Sequence, residues 1–429
     1  MMKRLFPALI IAIAATLSCQ ANGSIESIIT CPGENSATQM NISWAAADKG
    51  TCVVYTTTTD KNWKNAQVAQ PDLEQLCTTY DSIYSKRAWN ENYYEHNVFF
   101  KCGATLRGLT PDTNYKYRIE YRTDGRTLEK SPEHNFRTAG AKQWSCCIIS
   151  DFHSYTPLPH RLADAMDMMA TIERYDPSID FVLHLGDVCA WGGSWSFWRA
   201  LYAHENFSKY MWAGLNGNHD NMSRKYELTS AYFRDANYVP RNGYAGQEGV
   251  CYHFRYGNAM FVMLNNEEMH DSTNFEAAAA WLRDVVTKAR HSANPPRYVI
   301  VCEHYQWFYG NNGKTSQYGR WHKIFDELGI DLALAGNNHV YARSACLYDD
   351  QVTDGSKGTV YMQTASSDNE RGRKLEEQVA NFDKIMFRWA EGANMICAVN
   401  MKADDKALTL ALLDRYGNTL DTFTVKAKQ

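Results

Sequence analysis

Five short apolar runs, each halted by a charged or hydrogen-bonding residue, constrain the fold of this chain more than any other feature. Cys146-Cys147-Ile148-Ile149-Ser150 runs into Asp151-Phe152-His153, and Phe181-Val182-Leu183-His184-Leu185 into Gly186-Asp187. Met211-Trp212-Ala213-Gly214-Leu215 runs into Asn216-Gly217-Asn218-His219-Asp220. Tyr298-Val299-Ile300-Val301-Cys302 meets Glu303-His304, and Leu332-Ala333-Leu334-Ala335 meets Gly336-Asn337-Asn338-His339. Continuous apolar runs of this length read as parallel strands buried on both faces. In an open α/β sheet their ends line one edge, where such folds place their sites. Singly, Asp151 reads as a helix N-cap, His153 as a loop residue and Asn218 as a turn former. Together at successive strand ends they are oxygen and nitrogen donors suited to Zn, Fe or Mn, and predict a site for two metal ions.

A chain of 429 residues is long enough for two domains. Its net charge of -4 leaves no electrostatic footprint for nucleic acid or an anionic membrane surface. At the start, Lys3 and Arg4 precede an apolar run too short to stay as a membrane span, so residues 1–19 read as an export signal. Leu17-Ser18-Cys19 resembles the end of a bacterial lipoprotein signal, although Thr16 stands where Leu is usual. The favoured expectation is a periplasmic or outer-membrane lipoprotein tethered through lipidated Cys19, ahead of a simply cleaved signal. Of 12 cysteines, 11 remain after Cys19, an odd number, with no C-x-x-C pair. Cys146, Cys147, Cys189 and Cys302 read as core thiols. A disulfide among Cys31, Cys52, Cys77 and Cys102 is permitted and not assignable.

Residues 24–139 read as an all-β unit. Met40-Asn41-Ile42-Ser43-Trp44 and Tyr115-Lys116-Tyr117-Arg118-Ile119-Glu120-Tyr121 alternate, and Asp124-Gly125 marks a hairpin turn. The run Leu109-Thr110-Pro111-Asp112-Thr113-Asn114-Tyr115 and the closing Phe136-Arg137-Thr138-Ala139 resemble a fibronectin type III sandwich, a module expected to brace the rest of the chain. Over 141–429 strands alternate with helices, predicted at 159–175, 274–290 and 317–328. A run of strands and a hairpin at Tyr416-Gly417-Asn418 then end the chain. This is the pattern of a two-sheet α/β sandwich. Polar connections at 191–209, 306–318 and 367–381 are expected walls of a pocket. Trp191, Trp195 and Trp198 read equally as substrate platforms or as packing, and His184 as a core or supporting histidine.

In that order, Asp-x-His, Gly-Asp, Gly-Asn-His-Asp, a lone His and Gly-x-x-His resemble the calcineurin-like metallophosphoesterases. Gly336-Asn337-Asn338-His339-Val340-Tyr341-Ala342-Arg343 and His304-Tyr305-Gln306-Trp307-Phe308 are similar to the G-H-x-H-x-Y-E-R and H-x-P-W-Y motifs of the purple acid phosphatases. The resemblance implies one metal held by Asp151, His153, Asp187 and His339, and a second by Asp187, Asn218, His304 and Asn337. It implies that the metals activate a hydroxide for in-line attack, with His219 as general acid and Asp220 orienting its ring. Arg343 is expected to be structural. Two departures stand out. Ala190 occupies the place of the Tyr that colours the purple enzymes, so the protein should be colourless. Asn337 replaces a His, which predicts a weaker second site or one that prefers Mn or Mg. The expectation is an exported phosphoesterase acting on phosphate monoesters of small molecules. The alternatives are a phosphodiesterase of the same fold and a non-catalytic envelope binding protein that has lost the second metal. A serine hydrolase is excluded, since no G-x-S-x-G elbow occurs.

Overall fold

The computed structural model describes residues 25–85, 88–221, 231–270, 272–368, 370–377, 383–392 and 396–428; the expected export signal and Cys19 lie outside them. The apolar runs form parallel strands in two sheets. Trp144–Ile149, Phe181–His184 and Met211–Gly214 lie side by side in the first. Ala259–Met263, Tyr298–Cys302, Leu332–Ala335 and Thr359–Gln363 do so in the second. Strand periodicity explains why these runs are apolar throughout. Phe261, Ile300 and Leu334 point into the core shared with Ile148 and Leu183 of the first sheet. Val262, Val299, Val301 and Ala333 point the other way, into a second core beneath Ser272–Arg290 and Ser316–Leu328.

The three expected helices are present, at His160–Tyr175, Ser272–Arg290 and Ser316–Leu328. The last starts at Thr315, whose hydroxyl accepts from the Tyr318 N–H, and stops at Gly329 in the left-handed conformation with φ 63°. Met166 and Met169 fill the core under the first helix. The polar connection at 191–209 holds a further helix, Trp195–Tyr202, whose Trp195 and Trp198 are fully buried. Those two rings are packing, not platforms.

The all-β segment has one sheet of its own, built from Thr51–Thr57, Asn114–Thr123 and three shorter strands. Its other strands do not form a separate sheet. Ile25–Pro32 pairs in parallel with Met211–Gly214, with Thr30 opposite Met211, and Gln39–Ala46, Ala88–Arg107 and Leu73–Ser85 follow, so a ten-stranded sheet runs through both segments. The free edge of Met211–Gly214 is thereby covered rather than left open to a second chain. Trp44 is 1% exposed and donates from Nε1 to the Thr51 hydroxyl at 2.9 Å, a core residue of the sandwich as expected. All eleven cysteines from Cys31 to Cys397 are free thiols. No helix among the described residues is long and apolar enough to cross a membrane.

Candidate metal centre

The ends of the parallel strands converge, and the backbone there is strained in a consistent way. Asp151 (φ 54°), His153 (φ 45°), Asp187 (φ 52°), Asn337 (φ 66°) and His339 (φ 55°) all occupy the left-handed region. Asp and Asn tolerate it, whereas for His each instance costs about 1–2 kcal/mol. The turns hold the side chains inward immediately after each strand. Two glycines make the approach close enough. A Cβ on Gly186 would lie 2.5 Å from His304 Nδ1, and one on Gly217 would lie 2.3 Å from Asp187 Oδ1.

Asp187 is the centre of the cluster. Its Oδ2 lies 3.3 Å from His153 Nε2 and 3.3 Å from His304 Nε2, while its Oδ1 accepts from the His219 N–H at 2.7 Å. Asp151 Oδ1 lies 3.4 Å from His339 Nε2, and the Asn337 N–H donates to the same carboxylate. Asn218 Oδ1 lies 3.2 Å from His304 Nε2. Burial opposes charge on Asp187, but the His304 and His219 imidazoles outweigh it and hold the carboxyl well below its ordinary range. Burial likewise opposes a charged His304, and the Asp187 and Asp151 carboxylates push its pKa up to about 10.

The remaining ring nitrogens show what these imidazoles are set up to do. His304 Nδ1 donates to the Leu185 carbonyl at 2.7 Å and His339 Nδ1 to the Arg371 carbonyl at 2.5 Å. A carbonyl can only accept, so each Nδ1 carries a proton and each Nε2 is the nitrogen turned toward the carboxylates. His153 Nδ1 meets Asp368 Oδ2 at 3.2 Å, and its Nε2 is buried without a hydrogen-bond partner. This is how metal-binding imidazoles are oriented. Three groups of ligand atoms, from Asp151, His153 and His339, from His153, Asp187 and His219, and from Asp151, Asp187 and His304, each lie within 4.8 Å of one another. The donor set fits a pair of cations sharing Asp187.

One expected role needs correction. Asp220 does not orient the His219 ring. Its carboxylate accepts from the backbone N–H of Asp187, Cys189 and Gly217 at 2.8–2.9 Å, bracing two metal-site turns from beneath. Burial, with Asp187 nearby, raises its pKa to about 7. The His219 ring is held instead by the Ala190 carbonyl at Nδ1, 2.9 Å, and meets Arg371 Nη2 at Nε2, 3.1 Å. Burial lowers the His219 pKa to about 4, so the resting imidazole is neutral and its Nε2 accepts. The Asn337 side chain turns its amide nitrogen to Gln306 Oε1 at 2.6 Å.

His184 is a core histidine, 2% exposed, with burial pushing its pKa down to about 3. Arg343 is structural, a fork on both oxygens of Asp421. Trp191 stands at the site, its ring centroid 6.1 Å from that of His219. The connection after Thr359–Gln363 does more than line a pocket. Ser366 donates to the Asp151 carbonyl, Asp368 faces His153, and Arg371 faces both His339 and His219. Nothing in the spacing of Ser366, Asp368 and Arg371 marks these roles. Their one signal is the concentration of polar residues after an apolar strand.

Residues 146–341 match the calcineurin-like phosphoesterase family, and residues 25–138 the N-terminal domain of purple acid phosphatases. Two Mycobacterium tuberculosis proteins described only as uncharacterized are 26% identical over 350 residues. That match spans 73% of this chain and 60% of their length. The purple acid phosphatase PPD1 of yellow lupin (Lupinus luteus) superposes with a TM-score of 0.72 at 16% identity, over 94% of this chain and 75% of that one. A structure of PhoD superposes at 0.56 and 12% identity, over 94% and 91%. At such identities the solved structures speak for the fold alone. The chain thus carries a calcineurin-like phosphoesterase domain, with its His/Asp cluster, behind a purple acid phosphatase N-terminal domain.

Proposed function

We propose that this protein is an exported, metal-dependent phosphoesterase that hydrolyses phosphate monoesters of small molecules. The observation that carries the reading is Asp187, with one carboxylate oxygen 3.3 Å from two imidazoles that approach from different strands. Asp151, His153, Asp187 and His339 would hold one ion, and Asp187, Asn218, His304 and Asn337 the other. When bound, the ions polarise the phosphoryl oxygens and lower the pKa of an attacking water. The chain's own residues do the rest. Leu185, Asp368 and Arg371 fix the tautomers of the three ligand imidazoles. Asp220 keeps the turns of Asp187 and Gly217 in register. Once an anionic substrate has drawn the Arg371 N–H away from His219 Nε2, that nitrogen takes up a proton from solvent and passes it to the leaving oxygen. The leader of residues 1–19, with Cys19 as its lipidation point, supports a periplasmic or outer-membrane location.

Asn337 favours a second reading, a binding protein with one metal, because an amide oxygen, a weaker ligand than an imidazole, stands where the family motif has a His. Metal stoichiometry separates the two, measured with hydrolysis of nitrophenyl phosphate after stripping and reloading with Zn, Mn or Fe. Two ions per chain, with turnover abolished by Asp187→Asn, support the enzyme. One ion, with turnover appearing only in Asn337→His, supports the binding protein. No turnover in any loaded form, Asn337→His included, defeats the phosphoesterase reading.

A further inference from the structure

We infer that Arg371 forms, with His219, an anion subsite that receives the terminal oxygens of the phosphoryl group and selects monoesters over diesters. The inference rests on the phosphoesterase function proposed for the metal centre. The main chain of Arg371 is pinned between two imidazoles of that centre. Its N–H donates to Asp368 Oδ1 at 3.0 Å, while the other oxygen of that carboxylate faces His153, and its carbonyl accepts from His339 Nδ1. From that anchored position the guanidinium reaches a third imidazole, placing Nη2 3.1 Å from His219 Nε2. The His219 ring centroid is 4.7 Å from that of His153, so the cation stands at the centre itself.

Neighbouring arginines have structural partners. Arg161 is forked on Glu370, Arg343 on Asp421, and Arg388 donates to the Gly310 and Glu376 carbonyls. Arg371 is different. Among the described residues its guanidinium meets no carboxylate, only the His219 ring, whose Nδ1 is taken by the Ala190 carbonyl, and the residue is half-buried rather than sealed. A single ring nitrogen is a weak partner for a guanidinium, and a phosphoryl group offering two oxygens is a strong one. A monoester presents three terminal oxygens and up to two negative charges, while a diester presents two oxygens and one charge. A planar fork beside a metal pair that already takes phosphoryl oxygens therefore favours the monoester. The family motifs that this sequence resembles do not include position 371.

The test uses the full metal-loaded protein with Arg371→Ala and Arg371→Lys, assayed on nitrophenyl phosphate and bis(nitrophenyl) phosphate. Inorganic phosphate is titrated calorimetrically into each form. Because the Arg371 carbonyl survives both substitutions, metal content should not change. Loss of a charge-assisted fork should lower monoester kcat/KM by about 10–100-fold in Arg371→Ala, with diester turnover falling far less. Phosphate affinity should weaken in parallel, with Arg371→Lys in between. Arg373→Ala, which removes a nearby cation bonded to Asn338, should leave the ester ratio unchanged. Equal losses on both esters, or unchanged phosphate affinity, would overturn the subsite. If the wild type hydrolyses neither ester, the phosphoesterase reading falls, and the phosphate titration still decides for or against Arg371.

Discussion

At the scale of single residues, the centre is built less by its ligands than by what holds them. Asp220 illustrates this, since one buried carboxylate satisfies three backbone donors on two turns. An amide can satisfy those donors only through its oxygen and points N–H at the rest. Asp220→Asn should therefore lose about 1–3 kcal/mol and part of the bound metal, as read by denaturant melts and metal analysis. Gly217→Ala should do comparable harm to metal content with little effect on the cores, because its Cβ would fall on Asp187 Oδ1. The clustering of the candidate ligands was legible in the sequence because each follows an apolar strand directly. Their supports were not. Asp368, Arg371 and the Leu185 and Ala190 carbonyls act through contacts between segments far apart in the chain, and carbonyls carry no sequence signal at all. The reading of Asp220 failed for the same reason. The family resemblance placed it beside that ring, whereas its partners are backbone N–H groups, two of them on the turn at 187–189.

Among the elements, the helices followed from their apolar spacing and caps, and the parallel strands from unbroken apolar runs. The helix His160–Tyr175 ends on Asp176, a buried carboxylate that shows how such an element is tied down. Asp176 accepts from Ser145, Ser178 and Asn400, which join the helix end to two strands. Burial opposes its charge, but those donors outweigh it and hold the carboxyl far below its ordinary range. A carboxyl depressed on folding adds stability that is complete above the unfolded pKa of about 4 and lost as pH falls toward the depressed value. Thermal melts of wild type and Asp176→Asn should therefore differ most at neutral pH and converge as the solution is taken well below pH ~4. A gap that widens in acid would contradict the assignment. The helix Trp195–Tyr202 was not foreseen, because its two turns are too short for periodicity to stand out from a loop.

For the whole molecule, the decisive feature is the sheet that passes from the first segment into the second. Composition and turn signals divided the chain at 139–141, and no local pattern could announce that Ile25–Pro32 would pair with Met211–Gly214, some 180 residues away. A continuous sheet and core should unfold together. Calorimetry should show a single transition, and a fragment beginning at residue 141 should be poorly soluble, since it bares the Met211–Gly214 edge. Two separate transitions would contradict this. The thiols carry a practical consequence. Of the eleven described cysteines only Cys346 is even partly accessible, the others being sealed in the cores. A maleimide fluorophore added to the native protein should therefore attach at Cys346, on the strand Tyr341–Tyr348 that leaves the His339 turn. That strand would then carry an optical reporter of metal loading without a single engineered substitution.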